Sequence, residues 1–72
     1  MAMFIELTTL DNSLTTLNIN SIAAVDEDSG LNGEVTVMLP NGKGFLVKES
    51  YEEVKRLINS ELKAYFRIMG KN

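Results

Sequence analysis

The chain contains no cysteine and no histidine, and it has a single proline. Without cysteine, neither disulfides nor thiolate-rich zinc sites can stabilise the fold, so an apolar core must do so alone. The usual general base, the thiolate nucleophile and the common transition-metal ligands are also missing. The sequence therefore predicts a protein that is not an enzyme and that has no catalytic residues, no cofactor and no metal.

A long hydrophobic run is absent as well. The stretch from Met1 to Phe4 has no basic segment and only a short apolar one, which is typical of neither a signal peptide nor a membrane span. With the lack of cysteine, this predicts a soluble cytoplasmic protein without membrane insertion. We expect one domain over residues 1–72. Because a domain of this size buries only about 60% of its unfolded surface, a second copy or a partner would add stability.

Basic residues are absent from the first 42 residues, which carry six acidic ones. From Lys43 onward seven bases accompany four acids, so the two halves carry net charges of −6 and +3. Two interpretations stay open. Acids suit exposed strands and turns while bases suit a helix C-terminus, or the polarity favours head-to-tail association.

Two-residue alternation of apolar and polar side chains predicts five strands, with Ile5 and Leu7 on the buried face of the first. Asn41-Gly42 is a strong hairpin signal, and Asn18 and Asn20 predict a corner before the third strand. The predicted strands cover residues 4–10, 14–18, 22–27, 34–39 and 44–48. The expected fold is α+β: a small five-stranded antiparallel meander, forming a curled sheet or partly open barrel, followed by one C-terminal amphipathic helix.

The helix is predicted over residues 51–69, with Gly70 as its stop. Ser50 and Glu53 have the spacing of a capping box, in which each side chain accepts the other residue's backbone N–H. A helix of this length measures roughly 28 Å, whereas strands of five or six residues reach only about 20 Å. The helix should therefore extend beyond its own sheet.

Apolar side chains at that overhanging end define the first candidate interaction site. Surface of this kind usually marks an interface, so it predicts a homo-oligomer or binding to another cytoplasmic protein. The candidate residues are Tyr65, Phe66, Ile68 and Met69.

Basic side chains on the opposite helix face define the alternative site. Arg56, Lys63 and Arg67 follow one another at spacings of seven and four, and bases so placed can contact phosphates. The domain is acidic overall, and a solvated face favoured by the helix dipole is the preferred interpretation.

Two loops resemble ligand-binding motifs only superficially. Residues 26–34 offer several oxygen ligands for calcium, but Leu31 stands where an EF-hand requires glycine, and no helices flank the loop. Residues 41–44 contain glycines and a lysine without the spacing of a phosphate loop. Both are expected to be hairpin loops.

A set of short segments lies along the strands and into the helix: Ile5-x-Leu7-Thr8-x-Leu10, Leu17-Asn18, Ile22-x-x-Val25-x-Glu27, Val37-x-Leu39-x-Asn41-Gly42-Lys43, Val47-Lys48-Glu49-Ser50-x-Glu52-Glu53-Val54 and Ile58. These segments resemble the FlbD (SwrD) family of small flagellar and swarming-motility proteins, and the likeness covers most of residues 5–58. The loop from Ser29 to Gly33 is longer than the family's hairpin, Pro40 and Gly44 are additions, and the tail from Tyr65 to Asn72 is unmatched.

The resemblance implies a cytoplasmic accessory to the flagellar motor without enzyme activity. The leading hypothesis is a non-enzymatic protein-interaction domain that acts through self-association or partner binding. The alternative is a small regulator from a phage or mobile element that binds nucleic acid or a transcription component through the basic helix face.

Overall fold

The computed structural model describes residues 3–28 and 33–69, and their side chains as far as Arg67. These residues form five strands, a short 3₁₀ helix at Ile19–Ser21 and one long helix. In chain order the elements are β1 (Phe4–Thr8), β2 (Leu14–Asn18), β3 (Ala24–Asp28), β4 (Glu34–Met38), β5 (Gly44–Val47) and α1 (Tyr51–Met69).

The first two strands form an antiparallel hairpin in which Ile5 pairs with Leu17 and Leu7 pairs with Thr15. Successive side chains of a strand point to opposite faces. Ile5 and Leu7 are buried while Glu6 between them is exposed, so the predicted face of this strand is confirmed.

The other three strands form a second antiparallel sheet in the order β3-β4-β5. Val37 pairs with Val25 on one side and with Phe45 on the other, and all three side chains face the core. The β3–β4 hairpin is confirmed by the pairing of Asp28 with Glu34. Its loop, residues 29–32, lies outside the described residues, as does the predicted helix stop at Gly70.

The two sheets meet at the end of β1 and β5 rather than between β2 and β3. Thr9 forms an antiparallel bridge with Val47, whereas β2 and β3 are not neighbours in either sheet. The 3₁₀ helix separates β2 from β3, and the Asn18 side chain accepts the Asn20 N–H at its start, 2.9 Å away. The α+β class, the five antiparallel strands and the C-terminal helix are confirmed, and the sheets do not close into a barrel.

Two hairpin loops have the same geometry although their sequences differ. The two loops contain four-residue turns at residues 9–12 and 39–42. In each turn the last residue donates its backbone N–H to the carbonyl oxygen of the first and adopts a left-handed conformation, with φ 70° at Asn12 and φ 88° at Gly42. An Asx side chain just before it accepts a backbone N–H two residues on, as in Asn41 Oδ1 to Lys43 N at 2.9 Å. Gly and Asn are the residues that tolerate this conformation.

Predicted strand ends differ from the observed ones by one or two residues, for local reasons. β1 stops at Thr8 because Thr9 donates its backbone N–H to Ser13 O, 2.9 Å away, and this hydrogen bond closes the loop. β3 starts two residues late because Ile22 donates its N–H to Ile19 O and so ends the 3₁₀ helix.

Helix α1 contacts both β1 and β3. It thereby packs against a strand of each sheet. Val54 is fully buried in the core, and Tyr51, Leu57, Ile58 and Leu62 pack partly against it, so the predicted apolar face is the packed one.

Candidate functional site

The segment between β5 and α1 ties the helix to the first hairpin. Lys48 donates its backbone N–H to Thr8 O at 2.8 Å, and its ammonium group donates to the Asn12 side chain. Both carboxylate oxygens of Glu49 accept the Thr8 N–H, at 2.9 and 3.0 Å. These side-chain contacts join residues 36 and 41 positions apart, so this segment holds the two sheets together.

In the sequence, Glu49 belongs to the run Val47-Lys48-Glu49-Ser50, which a strand end followed by a helix cap explains locally. The hydrogen bond to Thr8 depends on how two sheets pack, and no local pattern contains that information.

Ser50 begins the helix as predicted, because its Oγ accepts the Glu53 N–H at 3.1 Å. The reciprocal half of the predicted capping box is wrong. The Glu53 carboxylate instead accepts from Arg56, from Nε at 2.9 Å and from Nη2 at 2.5 Å. A charged donor one turn away is a stronger partner than the neutral backbone N–H of Ser50. These hydrogen bonds to Arg56 lower the pKa of Glu53 and raise the pKa of Arg56.

Burial decreases along α1 from its start to its C-terminal part. Val54 is fully buried, Leu62 is partly buried and Phe66 is 62% exposed. The helix therefore carries an apolar side chain beyond the surface that its own sheets cover.

The four predicted interaction residues do not behave alike. Phe66 is exposed, as expected of an overhanging helix end, whereas Tyr65 is half-buried against the core, which corrects its assignment to the uncovered end of the helix. The two rings meet edge to face, with centroids 5.6 Å apart and planes at 69°. The side chains of Ile68 and Met69 lie outside the described residues, so their part of the prediction stays a prediction.

The basic residues of the alternative site are exposed on α1, as their spacing predicted. Arg56 is already engaged by Glu53 in an ion pair on the helix surface. Lys63 and Arg67 flank Phe66 in sequence and leave a basic border beside the exposed ring. Nothing in this arrangement favours nucleic acid over other acidic partners.

The outer face of the three-stranded sheet carries a second set of apolar side chains. Alternation places Met38 and Leu46 on the face opposite the buried valines of β4, and neither belongs to the core. In the same face Asp26 lies across from Thr36, and Thr36 from Leu46. Asp26 and Glu34 are exposed, so this surface combines apolar and acidic groups. We call it the outer sheet face.

Residues 3–28 and 33–67 contain neither a pocket nor a group of acidic side chains able to hold a metal ion. Across the part of the chain that the structure describes, no helix has both the length and the apolar character needed to span a membrane.

Comparison with protein families gives one match, to the family described as FlbD: Flagellar and Swarming motility proteins, over residues 3–65. That range includes every strand, the segment that binds Thr8 and most of α1. The chain belongs to the FlbD family. Comparisons with the curated proteins and with the solved structures give no match.

The residues described above lie partly inside and partly outside the range that matches the family. The matched range of this FlbD-family protein includes Lys48 and Glu49, which contact the first hairpin, and Ser50, which caps the helix. Phe66 is the first residue beyond that range. The scaffold is thus shared with the family, and the exposed ring lies past the matched segment.

Proposed function

We propose that this FlbD-family protein is a non-enzymatic, cytoplasmic interaction domain that supports flagellar or swarming motility by contacting another protein molecule through the end of α1. The contact surface is Phe66 with its basic neighbours Lys63 and Arg67. The observation that supports it is the 62% exposure of Phe66 at the point where the helix leaves the core.

The free energy available at this surface is concentrated in one side chain. Burying a phenylalanine that was exposed contributes about 1.5–3 kcal/mol. Phe66 also rests edge to face on Tyr65, which is held by the core. A ring held in place loses little conformational entropy on binding, and anchors of this kind contribute most of the affinity of many protein interfaces.

A non-catalytic role is supported by the whole sequence, which lacks histidine and cysteine. The acidic groups remain as candidates for acid–base chemistry, but that chemistry needs a carboxyl whose pKa is raised in an apolar site. Hydrogen bonds stabilise the charged forms of Asp11 and Glu53 and so lower the pKa of each carboxyl group, which is opposite to the change that such chemistry requires.

Replacing Phe66 tests the motility role and the contact surface together. In cells lacking the gene, the wild-type protein should restore swarm expansion, and Phe66→Asp at equal abundance should restore little of it because a charge blocks burial of the helix end. Leu14→Asp is the matched control, since Leu14 is 67% exposed on the first hairpin. It should restore swarming.

Two results would contradict the proposal in different ways. Normal swarming and swimming in cells that lack the gene would remove the motility role. Full restoration by Phe66→Asp, or equal loss in both variants, would remove the helix end as the specific contact surface. Circular dichroism of the purified variants shows whether each remains folded.

A further inference from the structure

We propose that the molecule bound by the helix end is a second copy of this chain, which docks head to tail by its outer sheet face. Phe66, Lys63 and Arg67 of one copy contact Leu46, Met38 and the acidic residues of the next. This inference rests on the proposed role of the helix end and names its partner.

The outer sheet face has apolar side chains for Phe66 to contact. Leu46 and Met38 lie on neighbouring strands, outside the core cluster. Met38 lies over Gly44, where a Cβ atom would be 2.6 Å from the methionine sulfur. The Met38 side chain thus occupies the space above Gly44, and its flexible thioether can adjust to the face of an aromatic ring.

Charge complementarity selects this face over the others. The helix segment from Leu62 to Arg67 carries two bases and no acid, while the outer sheet face carries the exposed acids Asp26 on β3 and Glu34 on β4. Asp26 is two strands from Leu46, or about 10 Å, which lysine and arginine side chains beside Phe66 can reach.

Two helix ends are a poorer match for each other. A symmetric contact would place the exposed Lys63 and Arg67 of both copies near one another, and like charges oppose such a contact. A contact between the helix end and the sheet face uses two different surfaces of the same molecule. Repeating it leaves a free surface at each end of the assembly, so it produces open chains, or rings where the two ends meet, rather than a closed dimer.

The contact is small and therefore weak. A stable complex between proteins of ordinary affinity buries about 800 Å² on each partner, and this helix end offers two turns at most. Association should be visible only at high concentration, with a mean mass that rises above 8.0 kDa as concentration increases.

Light scattering on purified variants, alone and mixed, tests the inference. Phe66→Asp removes the helix end and Asp26→Lys reverses a charge on the sheet face, so each alone should stay near 8.0 kDa at concentrations where the wild type is larger. Glu6→Lys is the matched control, because Glu6 is exposed on the other sheet, and it should associate as the wild type does. Mixing Phe66→Asp with Asp26→Lys should restore a species of one copy each, since one intact helix end and one intact sheet face remain.

The outcomes separate this inference from the proposed function. If Phe66→Asp lowers the mass but Asp26→Lys behaves like Glu6→Lys, the helix end binds a copy elsewhere, and the head-to-tail contact is wrong. A wild type that stays at 8.0 kDa at every concentration removes the second copy as the partner while leaving the swarming test unaffected. A mixture that fails to associate also contradicts the two-surface arrangement.

Discussion

Glu49 is the residue on which the junction of the two sheets depends most directly. Its carboxylate accepts the Thr8 N–H with both oxygens, and Lys48 N–H binds Thr8 O beside it. The polar backbone of Thr8 is thus fully paired at a partly buried position. Leaving such a donor without an acceptor costs its desolvation free energy.

Replacing Glu49 should therefore destabilise the fold more than replacing an ordinary surface acid. We expect Glu49→Ala to lower the free energy of unfolding by about 1.5–3 kcal/mol, since a hydrogen bond to a charged group is lost. Glu49→Gln should lose less because one acceptor oxygen remains. Urea denaturation measures the differences, with Glu6→Ala as the control. Equal midpoints for Glu49→Ala and Glu6→Ala would show that the contact does not stabilise the fold.

At the scale of elements, the start of α1 shows that a sequence motif can be formed only in part. Ser50 and Glu53 predicted both halves of a capping box, but only the bond from Glu53 N–H to Ser50 Oγ is formed, since Arg56 takes the Glu53 carboxylate. Local spacing defines which partners are within reach. The competition among them is decided by charge.

The single cap makes a clear test of helix stability. Ser50→Ala should lower the free energy of unfolding by about 1 kcal/mol, because the Glu53 N–H loses its acceptor. The same substitution at Ser60, which is exposed in the middle of α1, should leave stability unchanged or raise it slightly, since alanine favours helix. Thermal or urea unfolding of both variants gives the comparison. A smaller loss at Ser50 than at Ser60 would contradict the cap.

On the scale of the whole molecule, the acidic and the basic residues lie in different structural elements. The acidic half, residues 1–42, contains β1 to β4, and the basic half, residues 43–72, contains β5 and α1. The two interpretations of this split were exposed acids and bases without a partner, or head-to-tail association. The proposed contact between the helix end and the outer sheet face corresponds to the second interpretation.

Salt should therefore weaken association between copies. Between about 0.01 M and 1 M salt the Debye length falls from about 30 Å to about 3 Å, so contacts between exposed charges are screened. At a fixed protein concentration we expect the mean mass of the wild type to fall toward 8.0 kDa over this range, and light scattering measures it. A mass that rises with salt would indicate an apolar contact without a contribution from charge.

Much of the fold was predictable because its signals are local. Alternation in residues 34–39 and the amphipathic pattern of α1 each predict a buried face, and Ser50 predicts where the helix begins. The unpredicted features are those in which distant segments meet. The role of Glu49 and the partial burial of Tyr65 depend on the packing of α1 and the sheets.

The sequence by itself determined the order of strands and helix, the buried faces and the separation of acidic from basic residues, since these follow from spacing and composition. Only the tertiary structure decided that the sheets meet through Thr9 and Val47, that Glu49 binds Thr8, and that the core covers Tyr65 but not Phe66. The physical reason is that a local pattern specifies which side chains need burial, whereas the position of each segment against the others specifies which of them obtain it.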